Sequence, residues 1–299
     1  MPRALLFIAA MIVTTLAFLA PAQAAVCTIA NSELVFEAVE TLSTVPTEAS
    51  TEIGVECLLD EDETQVTMCL HIGLGSGGSG NRLLPANSAA SALAYQLFDG
   101  ANAWLDQPKR IVLSGSAGGD IDDEVAVTGV IITPQTNAAV DTYAETLPIN
   151  AEYVAGVVEE CGDLSGAPLT AELQVSAAVD ANCAVTAEDI DFGTVGSVEN
   201  GVEPAEGGLL ITCTPGIDYT ITLGTGLHWN GSTRRMSGPF GGMVGYELWT
   251  DDYEWGTDPG ALRPGDGAED LYPITGVVPP QAAQPAGSYS DTVVVTIAY

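Results

Sequence analysis

The feature that most constrains the fold is an internal repeat that divides the chain into two matching halves. Cys27 precedes Cys57 by 30 positions, and Cys183 precedes Cys213 by the same interval. Other markers recur in the same order in both halves: Phe36 with Phe192, Arg82 with Arg234 or Arg235, Tyr95 with Tyr246, Trp104 with Trp255, and the span Tyr143–Tyr153 with Tyr289–Tyr299. A series of ordered matches predicts duplication of one domain.

Short alternating apolar runs separated by turn residues indicate that both copies are all-β. Examples are 66–72, 219–223 and 292–298, in which apolar and polar residues alternate with a period of two. Glycine (33 residues) and proline (17 residues) are abundant between such runs, and no sustained helical period is present. The length of 299 residues fits two β-sandwich domains of ordinary size.

The segment 169–183 is predicted to be a strand that joins the two copies. Leu173, Val175, Ala177 and Val179 alternate with more polar neighbours, and the run leads almost directly into Cys183. Because the segment follows the last repeat strand of the first half, it can fold back and complete that half.

The first 24 residues have the pattern of a secretory signal. Arg3 precedes an apolar run over 4–20, and Ala22-Gln23-Ala24 is a small-x-small cleavage site. A transmembrane anchor is the alternative, but the run is short for a membrane span. We therefore expect an exported protein that is either soluble or part of an extracellular assembly.

Export permits disulfides, and the chain has six cysteines, for which fifteen pairings are possible. The equal intervals predict Cys27–Cys57 and Cys183–Cys213, one bond within each copy. Elimination then leaves Cys69–Cys161.

The charge excludes some classes of partner. Forty acidic residues against seven lysines and arginines give a net charge of −33, which repels nucleic acid and anionic membranes. The acidic runs 60–63 and 120–124 lack the spacing of a calcium-binding loop, so solvated loops are favoured over a metal site.

No catalytic, cofactor-binding or metal-binding residue is predicted. His71 and His228 lie on or just after predicted strands without a nucleophile or a second base that would form a catalytic group. The glycine-rich run 73–80 lacks the Lys-Ser/Thr of a phosphate-binding loop and is interpreted as a turn. No Cys-x-x-Cys pair is present, and disulfides would consume the thiols. The chain is therefore not predicted to be an enzyme.

The second half resembles the spore coat protein U family, whose domains are the subunits of archaic, Csu-type chaperone–usher pili. The resemblance depends on Asp191-Phe-Gly193, Thr212-Cys-Thr214, Gly245-Tyr-Glu-Leu-Trp249 and the ending Ala286–Tyr299. It is weaker over 27–153, where Phe36 is followed by Glu37 and extra cysteines occur.

The resemblance implies two immunoglobulin-like β-sandwich domains, of which the second is incomplete and needs a donor strand. We predict a signal peptide at 1–24, a first domain at 25–180 completed by its own strand 169–180, and a second domain at 181–299. In the second domain, an acceptor strand would present Val293, Val295, Ile297 and Tyr299 to a donor strand. The implied partners are a periplasmic pilus chaperone, an outer-membrane usher and the next pilin subunit, which would donate its N-terminal strand.

The resemblance implies that this layout is that of a pilus tip adhesin, exported through the periplasm to the cell surface. We expect little sequence before Cys27 after cleavage, and the strand before Cys183 is used within the chain. The first domain would attach to an abiotic or host surface and promote biofilm formation. Contacts are expected at its end far from Cys183, in loops that contain Leu84, Pro85, Trp104, Leu105, Ile132 and Pro134. For Trp104 alone the alternative is a core position, because Trp255 repeats it in the second half. The alternatives are an acidic extracellular carbohydrate- or calcium-binding module, and a structural protein of a spore or cyst coat.

Overall fold

The computed structural model describes residues 25–78, 81–163, 168–250, 253–256 and 260–299. The predicted signal peptide, residues 1–24, lies outside the described residues. No helix in the described ranges is long and apolar enough to cross a membrane. The short helical turns that are described are 3-10 turns at Gly75–Gly77, Cys161–Asp163 and Pro239–Gly241.

The first domain is a sandwich of two sheets packed around one apolar core. One sheet has the order β1-β3-β9-β6-β5, with β7 paired to β6, and the other has the order β2-β11-β10-β4-β8. The described strands are β1 (Val26–Ile29), β2 (Ser32–Val39), β3 (Thr47–Leu58), β4 (Gln65–Ile72), β5 (Arg82–Pro85), β6 (Ala92–Asp99), β7 (Asn102–Ala103), β8 (Lys109–Ser114), β9 (Asp120–Ile131), β10 (Asp141–Ala155) and β11 (Leu169–Val179).

Strand β11 fills the position between β2 and β10. It runs antiparallel to β10, from Asp141 opposite Val179 to Ala151 opposite Leu169, and parallel to β2. Its alternating apolar side chains all point into the core and are buried: Leu173, Val175, Ala177 and Val179. The period of two therefore places one whole face of this strand between the sheets.

The second domain repeats the arrangement with fewer strands. One sheet has the order β12-β13-β19-β16-β15, with β17 paired to β16, and the other has the order β18-β14-β20. The described strands are β12 (Cys183–Glu188), β13 (Val202–Cys213), β14 (Asp218–Leu223), β15 (Arg234–Ser237), β16 (Met243–Thr250), β17 (Tyr253–Glu254), β18 (Arg263–Pro264), β19 (Glu269–Val278) and β20 (Val295–Ala298).

The strand register is the same in the two domains. Ile149 on β10 lies opposite Ile72 on β4, and the equivalent Val295 on β20 lies opposite Leu223 on β14. The chain is therefore an all-β protein of two immunoglobulin-like sandwiches, as the sequence predicts.

Candidate functional site

An open groove in the second domain is the candidate functional site. In the first domain, β11 lies between β10 and β2. The second-domain equivalents are β20 and the segment 189–193, and in the described part of the chain no strand lies between them. One edge of β20 is therefore left without backbone partners, a condition that favours addition of a strand.

The side chains along this edge are less buried than their counterparts. Leu147, Ile149 and Ala151 on β10 are all 1% exposed or less. Val293, Val295 and Ile297 occupy the equivalent positions and are only partly buried against the second core. The difference follows from β11, because Leu147 and Ile149 lie directly opposite β11 residues.

The opposite wall of the groove is apolar too. Ile190 and Phe192 pack against the second core but are partly exposed, whereas their counterparts Leu34 and Phe36 are buried. A Cβ atom at Gly276 would lie 2.7 Å from side-chain carbons of Ile190 and Phe192. A glycine is therefore required for this close approach, and Gly129 has the same role in the first domain.

A buried carboxylate anchors the segment that leads into β20. The Asp291 side chain is 2% exposed and accepts hydrogen bonds from the Leu227 backbone N–H at 2.9 Å and the Tyr246 hydroxyl at 2.7 Å. His228 Nδ1 lies 3.2 Å from the same carboxylate. Burial and the hydrogen bond to Asp291 raise the pKa of the Tyr246 hydroxyl, which is therefore protonated and donates at physiological pH.

The first domain has a matching anchor that sequence inspection missed. Glu145 accepts hydrogen bonds from the Tyr95 hydroxyl at 2.6 Å and the Ser76 backbone N–H at 3.0 Å. Glu145 and Asp291 each follow a repeated tyrosine, Tyr143 or Tyr289, by two positions. That spacing is the signal from which the pair could have been found.

In each domain, a buried arginine ties the end of β4 or β14 to the segment that contains Trp104 or Trp255. Arg234 donates to the carbonyl oxygens of Leu223 at 3.2 Å and Trp255 at 2.8 Å, and Arg82 donates to the equivalent oxygens of Ile72 and Trp104. Burial lowers the pKa of both guanidinium groups. Arg234, rather than Arg235, is therefore the counterpart of Arg82.

The three disulfides join the cysteine pairs that the sequence indicated. Cys27–Cys57 and Cys183–Cys213 each link directly opposed residues of neighbouring strands. Cys69–Cys161 fastens β4 to the connection between β10 and β11, at the end where β11 begins.

The predicted adhesion residues have different environments. Leu84 is fully buried in the first core, so the prediction that it contacts a surface is wrong. Trp104 is 3% exposed and has the core position that its repeat in Trp255 offered as the alternative. Leu84 lies on the inward face of β5, and Trp104 packs where Trp255 packs in the second domain. Leu105, Ile132 and Pro134 are exposed, and Pro85 is partly buried.

The predicted location of these loops also needs correction. Ile132 and Pro134 follow the end of β9, in a loop whose Thr136 carbonyl oxygen lies against Gly267 of the second domain. Pro85 is next to Ala86, which bridges to Tyr143 near the start of β10. These residues therefore lie at the junction end of the first domain, where the chain passes into the second, and not at the end far from Cys183.

The far end of the first domain, which we call the distal end, is built from other segments. They are the connections β3–β4, β8–β9 and β10–β11, of which residues 59–64, 115–119, 156–163 and 168 are described. Leu58 and Val157 are exposed there, beside the acidic run 60–63.

The described side chains offer no metal centre. No group of three or more His, Cys, Asp or Glu side chains in the described ranges is arranged to hold a metal ion. His71 Nε2 lies 3.4 Å from Asp106 Oδ1. His228 Nδ1 lies 3.2 Å from Asp291 Oδ1.

Two sandwiches, of which the second has an open groove between its described strands, define a class of modular β-protein. The model of the Spore Coat Protein U domain family matches residues 13–150 and 169–296. The chain therefore belongs to the Spore Coat Protein U domain family, and it contains two copies of the domain.

The solved structures that this chain is similar to share little of its sequence. A chain in the crystal structure of the CsuC–CsuE chaperone–tip adhesion subunit pre-assembly complex, from archaic Csu pili of Acinetobacter baumannii, is 14% identical with a TM-score of 0.55. The match covers 92% of this chain and 100% of that one. The CupB6 tip adhesin from Pseudomonas aeruginosa is 12% identical with a TM-score of 0.38, over 92% of this chain and 94% of that one. Comparison with curated protein sequences gave no match.

Proposed function

We propose that the chain is the tip subunit and adhesin of a pilus that is assembled by donor-strand exchange through a chaperone–usher pathway. One observation carries this proposal: no described strand of the second domain occupies the position that β11 has in the first. An apolar groove beside an unpaired strand edge is suited to accept a strand from another chain, since backbone hydrogen bonds and alternate side chains then both find partners.

The use of β11 within the chain supports a position for this subunit at the end of the fibre. The segment before the first cysteine of the second domain is β11, and its inward apolar side chains are already buried in the first domain. That segment is therefore not free to enter another subunit. The chain accepts a donor strand at its second domain and extends the fibre in one direction.

The order of partners follows from the exposed groove. A periplasmic chaperone fills it first, because an open apolar groove promotes aggregation during export. At the outer-membrane usher, the N-terminal strand of the next subunit replaces the chaperone strand. The CsuC–CsuE structure is described as a chaperone–tip adhesion subunit pre-assembly complex, and one chain of it has a fold similar to that of this chain.

The first domain carries the adhesive function at the cell surface, without catalysis. Its distal end points away from the fibre, since the junction end contacts the second domain. Exposed Leu58 and Val157 at that end are apolar contacts for an abiotic or host surface, and attachment through them initiates a biofilm.

The experiment is immunogold labelling of the first domain on fibres from cells that express the full chain, combined with an attachment assay. We expect label at one end of each fibre, and loss of attachment when Leu58 and Val157 are both changed to Asp. Label along the whole shaft would contradict the tip position, and absence of label from fibres would contradict the pilus assignment. The matched control changes exposed Leu271 of the second domain to Asp, which should leave attachment unchanged.

A further inference from the structure

A rigid turn in the second domain holds one aromatic side chain fully in solvent. Phe240 lies in the β15–β16 turn and is 95% exposed. Its φ angle is +54°, in the left-handed backbone region that residues other than glycine and asparagine rarely adopt. An apolar residue that is strained and gains no internal burial suggests an external role.

The turn is braced from below. The Gly242 N–H donates to the Pro239 carbonyl oxygen at 3.0 Å, and the Gly238 N–H donates to the Gly242 carbonyl oxygen at 3.0 Å. The Tyr289 ring packs so closely on Gly238 that a Cβ atom there would lie 2.3 Å from it. The Tyr289 hydroxyl in turn donates to the Pro285 carbonyl oxygen at 2.6 Å. Phe240 is therefore presented on a fixed support.

Two uncharged stretches meet at this end of the second domain, and each continues into the strands behind it. Residues 236–246 and 271–290 contain no Asp, Glu, Lys, Arg or His, although the chain has a net charge of −33. The two stretches meet where Pro285 approaches Gly242. Two strongly acidic domains repel each other, so a face without charge is the face on which another acidic domain can dock.

The equivalent end of the first domain, at the loop 132–140, contacts the second domain within the chain. Val140 donates its backbone N–H to the Pro215 carbonyl oxygen of the second domain at 2.9 Å. Val140 follows Ala139, which accepts from the Tyr143 hydroxyl as Pro285 accepts from Tyr289. The loop 132–140 is also uncharged. The equivalent end of the second domain, with Phe240, is the one left free.

We propose that residues 238–242 and 282–288 form the docking face for the next subunit of the fibre, with Phe240 as its apolar anchor. The partner is another domain of the same family, which presents the loop equivalent to that containing Pro215. This inference rests on the proposed function, since it requires a subunit joined to the second domain by a donor strand.

The test places the photo-crosslinking residue p-benzoylphenylalanine at single positions of the full chain in cells that assemble the fibre. Phe240→p-benzoylphenylalanine is the test position, and Thr296, on the outer face of β20, is the reference for the donor strand. Leu271, exposed on the outer face of β19, is the control. We expect positions 240 and 296 to crosslink to the same subunit, identified by mass spectrometry, and position 271 to give no such product.

The outcomes separate the two proposals. A crosslink from 296 to a subunit with none from 240 overturns the docking face and leaves donor-strand exchange intact. No crosslink to a subunit from either position overturns both.

A second variant guards against a misleading effect on folding. Phe240→Asn keeps a residue that tolerates positive φ and removes the apolar ring. The free chain should melt at an unchanged or higher temperature, while the fraction of fibres that carry the chain falls at least threefold. A lower melting temperature, or unchanged incorporation, would contradict an external role for Phe240.

Discussion

Ile149 and Val295 occupy equivalent positions in the two domains, but only Ile149 is fully buried. Both lie opposite an apolar residue on the neighbouring strand, Ile72 or Leu223. Ile149 has a second neighbour in Ala171 of β11, and among the described residues Val295 has no counterpart to that neighbour. The different burial of Ile149 and Val295 therefore reports that the first sandwich is completed by β11 and the second is open.

A donor strand fused to the second domain should stabilise it. We expect residues 169–180, attached after Tyr299 through a flexible linker as long as the 156–168 connection, to raise the melting temperature of the second domain by at least about 10 °C. Burial contributes about 1.5–3 kcal/mol for each large apolar side chain, and about 1 kcal/mol corresponds to a few degrees in a domain of this size. Scanning calorimetry measures the shift. The same fusion with Leu173 and Val175 of the added copy changed to Asp is the control, and an equal shift from it would contradict strand insertion.

A charge in the groove should prevent strand capture. Val295→Asp places a carboxylate on the inner face of β20, where a donor strand would bury it without a partner at a cost of several kcal/mol. A synthetic peptide of residues 169–180 should bind the full chain, and the variant should bind it at least a hundredfold more weakly. Thr296→Asp, on the exposed face of the same strand, is the matched control. Equal loss in both variants would show that charge alone, and not its position, causes the effect.

The hydrogen bonds of Asp291 should protect β20 from opening more than those of Glu145 protect β10. β20 is paired on one side by β14, whereas β10 is held by both β4 and β11. Asp291→Asn weakens two buried charge-assisted hydrogen bonds, each worth about 1.5–3 kcal/mol. Hydrogen exchange of the β20 amides should accelerate at least tenfold, and Glu145→Gln should change β10 much less. Equal effects in the two strands would contradict the view that β11 stabilises β10.

Acid should release a clip at the junction end of the first domain. The Asp141 carboxylate accepts from the Ser88 hydroxyl and from the Ser88 and Ala89 N–H groups, and these bonds lower its pKa to about 2. Because the folded state favours the carboxylate, its contribution is complete above the unfolded pKa of about 4 and is lost as the pH falls towards 2. Denaturant unfolding between pH 6 and pH 2 should show a shallower loss of first-domain stability in Asp141→Asn. Identical slopes would contradict this account.

The Cys69–Cys161 bond should stabilise the first domain alone. It spans 92 positions and holds the connection that leads into β11. Changing both cysteines to Ala should lower the unfolding free energy of the first domain by about 2–5 kcal/mol, because the unfolded chain regains its freedom. The second domain should be unaffected, and it should instead respond to loss of Cys183–Cys213. A decrease in both domains from the first change would indicate that they unfold together.

The sequence by itself determined the duplication, the strand character of 169–179 and the cysteine pairs. Equal spacing and a period of two are local properties, and opposed strands in equivalent copies bring Cys27 to Cys57 and Cys183 to Cys213 in the same way. The inner face of β11 was likewise fixed by alternation, because successive strand side chains point to opposite faces.

Only the tertiary structure decided which residues are exposed and at which end they lie. Leu84 and Trp104 stand among turn residues in the sequence, yet the opposite sheet and the edge of β6 bury them. The Asp291 anchor and the exposed Phe240 depend on contacts between segments tens of residues apart, such as Tyr246 with Asp291 and Gly238 with Tyr289. Alternation specifies the face of a strand on which a side chain lies, but burial depends on what packs against that face, and the packing is set by the whole fold.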